Sequence, residues 1–147
     1  MFSFIKNIFK GTLHKACEKG DIQAVKQHLD AGADVNDKDD KDDKGFAPLV
    51  YACGEGHVEL SEFLIDKGAD MHVKAGYPAS SPLHAAASEN YEEIATLLII
   101  KGADVNIKND DGETPLDWAE EEKNADLANL LRKHGGKTGE ELKDEGK

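Results

Sequence analysis

Residues 81–87 read Ser81-Pro82-Leu83-His84-Ala85-Ala86-Ala87, and the stretch that follows closes on Gly102-Ala103-Asp104-Val105-Asn106. Between them lies the pattern of two short helices. Pro82 suits the first turn of a helix, where its missing N–H costs nothing, and Ser81 stands before it as the N-cap. Leu83, Ala86 and Ala87 fall at i, i+3 and i+4, a narrow apolar stripe on one helical face. Their small side chains allow a second helix to come close. That helix is predicted from about Tyr91 to Ile100, with Ile94, Leu97, Leu98 and Ile99 on its apolar side. Gly102 ends it, because glycine enters the left-handed conformation without steric cost. A polar connector follows.

The same wording occurs four times. Thr12-Leu13-His14-Lys15-Ala16-Cys17, Ala47-Pro48-Leu49-Val50-Tyr51-Ala52-Cys53 and Thr114-Pro115-Leu116-Asp117-Trp118-Ala119 are the other copies. The leucines Leu13, Leu49, Leu83 and Leu116 stand 36, 34 and 33 residues apart. Gly32-Ala33-Asp34-Val35-Asn36 and Gly68-Ala69-Asp70-Met71-His72 keep the same step. A period near 33 identifies a stacked array. One unit cannot bury its own apolar face, so its neighbour must cover it. Four units are expected, at about 11–44, 45–74, 75–108 and 109–136. The ends carry polar residues where inner units are apolar. Glu120 replaces Cys53 and Ala87, and Arg132 replaces Ile65 and Ile99. Gln27 and His28 replace Phe63-Leu64 and Leu97-Leu98. Such faces stop a stack from growing, so the array is expected to be complete.

The Pro-Leu-His-x-Ala-Ala, Gly-His (Gly56-His57) and Gly-Ala-Asp-Val-Asn phrases recur in order over roughly residues 11–136. In these phrases the chain resembles the ankyrin repeat family. The resemblance implies an all-α solenoid of antiparallel helix pairs whose connectors project as β-hairpin-like fingers. Fingers and first helices would line a concave face that binds another protein. It also implies that His14 and His84 brace neighbouring loops. Asn36 and Asn106 match an asparagine that some hydroxylases modify; the structural reading is that each braces its finger turn.

Thirty acidic residues against eighteen basic give a formal net charge of −12 over 147 residues, enough for one domain. That balance repels nucleic acid. The acidity serves solubility or the choice of a basic partner. Cys17 and Cys53 hold equivalent small positions on first helices and read as buried, reduced thiols, which suits an intracellular, cytoplasmic setting. The longest apolar stretch, around Ile94 to Ile100, is far too short to span a membrane. Lys6, Asn7 and Lys10 interrupt what would be the apolar core of a signal peptide. In residues 1–10, Phe2, Ile5 and Phe9 share a helical face that Phe4 and Ile8 widen. This segment reads as a cap over the first unit or, alternatively, as a weak amphipathic membrane anchor. The charge run Asp37 to Lys44 fails as a calcium loop, since Lys41 and Pro48 fall at ligand positions. It reads as a solvated finger. The charged tail 137–147 is expected to be disordered.

Catalytic wording is absent. None of the six histidines pairs with another His or Cys at zinc spacing, and there is no nucleophile elbow, phosphate loop or His-Glu-x-x-His. No catalytic residue, cofactor or metal is expected. The resemblance points instead to variable positions on the fingers and just after each Ala-Ala or Ala-Cys pair. These are Glu18 and Lys19, then Asp43, Lys44, Phe46, Gly54 and Glu55. The third unit adds Tyr77, Pro78, Ser80, Ser88 and Glu89, and the fourth Asp110, Asp111, Glu113, Glu121 and Glu122. Nine are acidic, two basic and two aromatic. Tyr51 and Trp118 share one offset on the first helices and are expected to pack between units, Trp118 with an edge at the groove. The third finger departs from the others: Ala79 stands where Gly45 and Gly112 do, beside Pro78. The expected function is that of a monomeric, non-catalytic module binding a basic or amphipathic segment of another protein on an acidic concave face. A membrane-peripheral adaptor tethered by residues 1–10 is the alternative.

Overall fold

The structure, a computed structural model, describes residues 13–39 and 45–146. Residues 1–10, and with them the cap or anchor, lie outside that range, as do Asp43 and Lys44. The helices run in pairs. Helix α1 covers 13–19, α2 Ile22–Asp30, α3 Pro48–Gly54, α4 Val58–Asp66, α5 Pro82–Glu89, α6 Glu92–Ile100, α7 Pro115–Glu121 and α8 Ala125–Lys133; a short α9, Gly139–Glu145, ends the order.

The phrases quoted above account for the starts and stops. Pro48, Pro82 and Pro115 each occupy the first turn of a first helix. Ser81 and Thr114 cap α5 and α7, and His84 and Asp117 return the bond to the cap backbone. Each second helix is followed by a glycine at positive φ, Gly32, Gly68, Gly102 and Gly135, a conformation in which a Cβ would be strained.

First helices pack on first helices, α3 on α5 and α5 on α7, and each pair closes internally, α3 on α4, α5 on α6 and α7 on α8. The second helices form the other layer, α4 against α6 and α6 against α8. Leu13, Leu49, Leu83 and Leu116 are at most 1% exposed, and Leu64, Leu98 and Leu131 are fully buried opposite them. Burying such a side chain contributes about 2 kcal/mol, so the leucine period is the core. Cys17 and Cys53 are buried and unpaired. Burial pushes both thiols up to about 12.

Side chains also tie each unit to the next. Asn36 Nδ2 donates to the Gly68 carbonyl at 3.1 Å, and its Oδ1 accepts from the Asp70 N–H at 2.8 Å. Asn106 repeats both bonds to Gly135 and Lys137 at 3.1 and 2.8 Å. His72, in the same place, accepts from the Asp104 N–H at 3.0 Å. These asparagine side chains therefore brace the following unit; within their own turns it is the Asp34 and Asp104 carboxylates that accept the Asn36 and Asn106 N–H, at 2.9 and 3.0 Å. Farther down the stack, the His57 ring bonds the Glu18 carbonyl at 2.7 Å, close enough that a Cβ on Gly20 would stand 2.8 Å from that ring. Asn124 reaches the Ala87 carbonyl from the last unit at 2.8 Å.

One expectation holds and one needs correction. The fingers are hairpin-like without forming strands: among the described residues, Ala75 and Ser80 form a bridge, the Asp39 N–H donates to the Phe46 carbonyl at 3.0 Å, and the Asn109 N–H donates to the Glu113 carbonyl at 2.9 Å. The tail is not disordered over 139–145. Thr138 caps α9, Glu141 returns the bond to the Thr138 N–H, and Arg132 pairs with Glu141 at 2.8 Å. Gly139 N–H donates to Asp117, and Thr114 Oγ1 donates to the Lys137 carbonyl at 2.6 Å. With Gly135-Gly136-Lys137 standing where Gly68-Ala69-Asp70 does, α9 begins at once, like the first helix of a further half-unit. It buries none of its residues, which is why apolar periodicity gave no sign of it.

Candidate interaction face

Nine of the expected positions, Phe46, Gly54, Glu55, Pro78, Ser88, Asp111, Glu113, Glu121 and Glu122, line two recesses beside α5. The first, about 250 Å³, is lined by Phe46, Val50, Tyr51, Gly54, Glu55 and Ala85. The second, about 310 Å³, is lined by Pro78, Ser88, Asp111, Glu113, Trp118, Glu121 and Glu122. Ala85 and Ser88 stand one turn apart on α5, about 4.5 Å of helical rise, so that helix is the ridge between them. Among the described residues, no lysine or arginine lines either recess.

Each recess is built on an aromatic side chain that a neighbouring unit holds in place. In the first, the Tyr51 ring meets His14 edge-on at 5.8 Å and Phe46 at 5.7 Å. His14 is fixed by the Asp37 carbonyl at 2.6 Å from its Nε2. The Tyr51 hydroxyl donates to Asp39, whose other oxygen accepts the Phe46 N–H at 2.8 Å. Burial, followed by the Asp39 and Glu18 carboxylates, raises the Tyr51 pKa well above the tyrosine range. In the second recess, Trp118 meets His84 edge-on at 5.1 Å, and its Nε1 donates to Glu113 Oε1 at 3.1 Å. His84 is fully buried, held by Ser81 Oγ and the Glu113 carbonyl at 2.8 Å each, and burial lowers its pKa. The histidines predicted to brace neighbouring loops do so, and they also seat the aromatic side chains of the face.

The predicted positions divide accordingly. Phe46, 39% exposed, and Glu55 belong to the first recess; Asp111, Glu113, Glu121 and Glu122 belong to the second, with Pro78 and Ser88. Tyr77 is 79% exposed on the third finger, outside both. Glu89 and Asp110 are exposed and line neither. Ser80 is a correction: it is buried, its hydroxyl donates to the Pro78 carbonyl at 2.8 Å, and Asn109 Nδ2 approaches it at 3.4 Å. It shapes the finger and offers no surface to a partner. The sequence reading missed Val50, Tyr51 and Ala85 as walls of the face, whereas Trp118 shows the edge expected of it. Tyr51 and Trp118 each pack against a histidine of the preceding unit, and their shared offset was the signal that both would border equivalent recesses.

The described residues hold no group of three or more His, Cys, Asp or Glu arranged to take a metal ion, and no buried side-chain polar atom lacks a partner. No described helix is long and apolar enough to cross a membrane.

Known proteins place this arrangement. A family profile described as ankyrin repeats (3 copies) matches residues 13–109 and 73–141. Among similar proteins, the DNA-binding protein RFXANK of Homo sapiens is 34% identical over 64 residues, 44% of this chain and 24% of that protein. Protein phosphatase 1 regulatory subunit 27 of Homo sapiens is 43% identical over 58 residues, 40% of this chain and 36% of the relative. The 2-5A-dependent ribonuclease of Mus musculus is 41% identical over 61 residues, 42% of this chain and 8% of the relative. The matches thus span about a quarter to a third of the first two relatives. Ankyrin repeats generally mediate protein–protein interaction. With matches over nearly the whole described chain, and helix pairs stacked through buried leucines of the recurring phrase, the protein belongs to the ankyrin repeat family.

Proposed function

We propose that this chain is a monomeric, non-catalytic binding module that takes a basic, amphipathic segment of another protein across α5. The observation that supports this reading is the pairing of the two recesses. One is apolar, walled by Phe46, Val50 and Tyr51 with Glu55 at its rim. The other sets Trp118 among four carboxylates. Aromatic walls supply binding energy when an apolar side chain covers them. Carboxylates with no lysine or arginine between them among the described residues attract cations and set the orientation. The formal charge of −12 adds long-range steering in the same sense and disfavours nucleic acid. The six histidines are too dispersed to suggest a catalytic group; His14, His72 and His84 bond backbone atoms of connectors, and His57 bonds the Glu18 carbonyl in α1.

Selection of random displayed peptides on the immobilised chain tests this. Enriched peptides are expected to combine Lys or Arg with a large apolar residue. Their affinity, read by fluorescence anisotropy, should fall about tenfold with Phe46→Ala, a loss typical of a hot-spot truncation. It should also fall with added salt and with the charge reversal Glu121→Lys/Glu122→Lys. Enrichment of acidic peptides, or affinities indifferent to all three changes, would refute the reading.

A further inference from the structure

Ile100 closes α6 and is 72% exposed. Counted back from the glycine that follows each second helix, the same place holds Asp30, Asp66 and Lys133. The other three units put a charge where the third puts a large apolar side chain. A single surface isoleucine needs no explanation, but this one has company. Glu93, Leu97 and Ile100 stand at i, i+4 and i+7, one stripe of α6, while Ile94, Ala95 and Leu98 of the same helix are buried. Two recesses, about 490 and 410 Å³, run along this stripe against Val58 of α4. One reaches Tyr91 and the other Leu97 and Ile100; Val58, Glu92 and Glu93 line both, so the two form one groove. The groove lies on the layer of second helices and shares no residue with the recesses beside α5.

Charge and the neighbouring unit say what would cover it. Phe63 holds on α4 the place that Leu97 holds on α6, and there the chain supplies its own cover: the Lys26 and Lys67 ammonium groups lie 5.4 and 5.6 Å from the ring centroid. Around Leu97 the same two places hold Glu62 and Lys101. Lys101 is drawn to α4 instead, to Asp66 at 3.0 Å and Glu62 at 3.8 Å. Glu92 and Glu93 favour the helix dipole from the first turn of α6, yet no described lysine or arginine lies within ion-pair distance of either. The apolar stripe thus lacks the cationic cover that its neighbour has. A second copy of the chain does not fit, since it would bring a formal charge of −12 to these carboxylates.

We propose that the groove between α4 and α6 is a second docking surface, taken by an amphipathic helix of another protein. The apolar row of that helix covers Val58, Leu97 and Ile100, and its lysines or arginines face Glu92 and Glu93. Helices enter apolar grooves through anchors at this same helical spacing. The inference stands apart from the reading of the α5 face, and with it the chain carries one segment on each layer of the stack.

The test titrates the isotope-labelled full chain with a synthetic amphipathic helix of leucine and lysine, and with a peptide of the same composition scrambled to have no apolar face. The amphipathic peptide is expected to move the amide resonances of Val58, Glu92, Glu93, Leu97 and Ile100, and the scrambled one far less. Equal shifts from both peptides would overturn the proposal. Ile100→Asp places here the residue that the first two units carry, at an exposed position that the fold does not need. It should weaken binding at α6 about tenfold, although it adds a negative charge. Equal or tighter binding would mean that charge alone attracts the peptide, and would overturn the proposal. Glu92→Gln/Glu93→Gln should weaken binding by a smaller factor and flatten its salt dependence. Shifts confined to Phe46, Tyr51 and Trp118 would refute the groove and leave the α5 face standing. Shifts confined to α6 would support the groove and count against the α5 face. Sedimentation showing self-association that Ile100→Asp abolishes would assign the stripe to a second copy, which also overturns the proposal.

Discussion

Replacing Asn106 by alanine removes a connection between units that no hydrophobic pattern reveals. Its Nδ2 bonds the Gly135 carbonyl at 3.1 Å and its Oδ1 the Lys137 N–H at 2.8 Å. An intramolecular hydrogen bond contributes about 0.5–1.5 kcal/mol net. The site is half-buried, so water replaces part of what is lost, and the two bonds together are worth about 1–2 kcal/mol. In a domain of this size each kcal/mol moves the midpoint by about 2–4 °C, so Asn106→Ala should lower Tm by about 3–6 °C. Because the bonds join one unit to the next, the loss falls on an interface term. The last helix pair, α7 and α8, should then fray before the rest, and the urea transition should lose slope as well as midpoint. Urea denaturation followed by circular dichroism, with amide exchange in α8, measures both. His72→Ala gives the internal comparison, since His72 makes one such bond, to the Asp104 N–H, and should cost about half as much. A loss at Asn106 no larger than that at His72, with exchange in α8 unchanged, would refute the reasoning.

Other expectations follow from the same geometry. Burial lowers the His84 pKa in the folded chain, so the unfolded state binds that proton first. Stability tied to His84 is therefore complete above the unfolded value of about 6.5 and declines as pH falls below it; denaturant titrations at stepped pH should show the decline, and a flat profile from neutral to mildly acid pH would contradict it. With both thiols near 12, only about one in ten thousand is thiolate at pH 8. A thiol reagent should label Cys17 and Cys53 only as fast as the chain unfolds, and rapid labelling of the native protein would show that they are open. Arg132, then bonds from Thr138, hold the Glu141 carboxyl down at about 2, so its contribution is present above about 4.5 and lost as pH falls toward 2. Thr138→Ala removes the cap of α9 and should cost about 1 kcal/mol or less, read as loss of amide protection over 139–145 with the leucine core unaffected.

Much of the architecture was legible because its cause is local and repeated. The Pro-Leu phrase fixes where a first helix starts, the glycine after each second helix fixes where it stops, and the 36, 34 and 33 residue spacing of Leu13, Leu49, Leu83 and Leu116 gives the stack. Those residues act through sterics and burial that any copy of the phrase reproduces. Where the sequence reading failed, the interactions were polar and reached across units. The resemblance puts Ser80 among the variable finger positions, yet its bonds to Pro78 and Asn109 draw it inside. The tail carried a capping pattern, Thr138-Gly139-Glu140-Glu141, but its anchors are Arg132, Asp117 and Thr114, residues distant in sequence.

The sequence by itself determined the repeating unit, the order of its parts and the acidity of the chain, because period, composition and charge are properties of the chain alone. Only the tertiary structure decided that Tyr51 and Trp118 wall two recesses on either side of α5. Each ring is set by a histidine one unit earlier, His14 or His84, and each of those by the Asp37 or Glu113 carbonyl. That placement depends on how one unit settles against the next, and packing between units leaves no trace in the spacing within them.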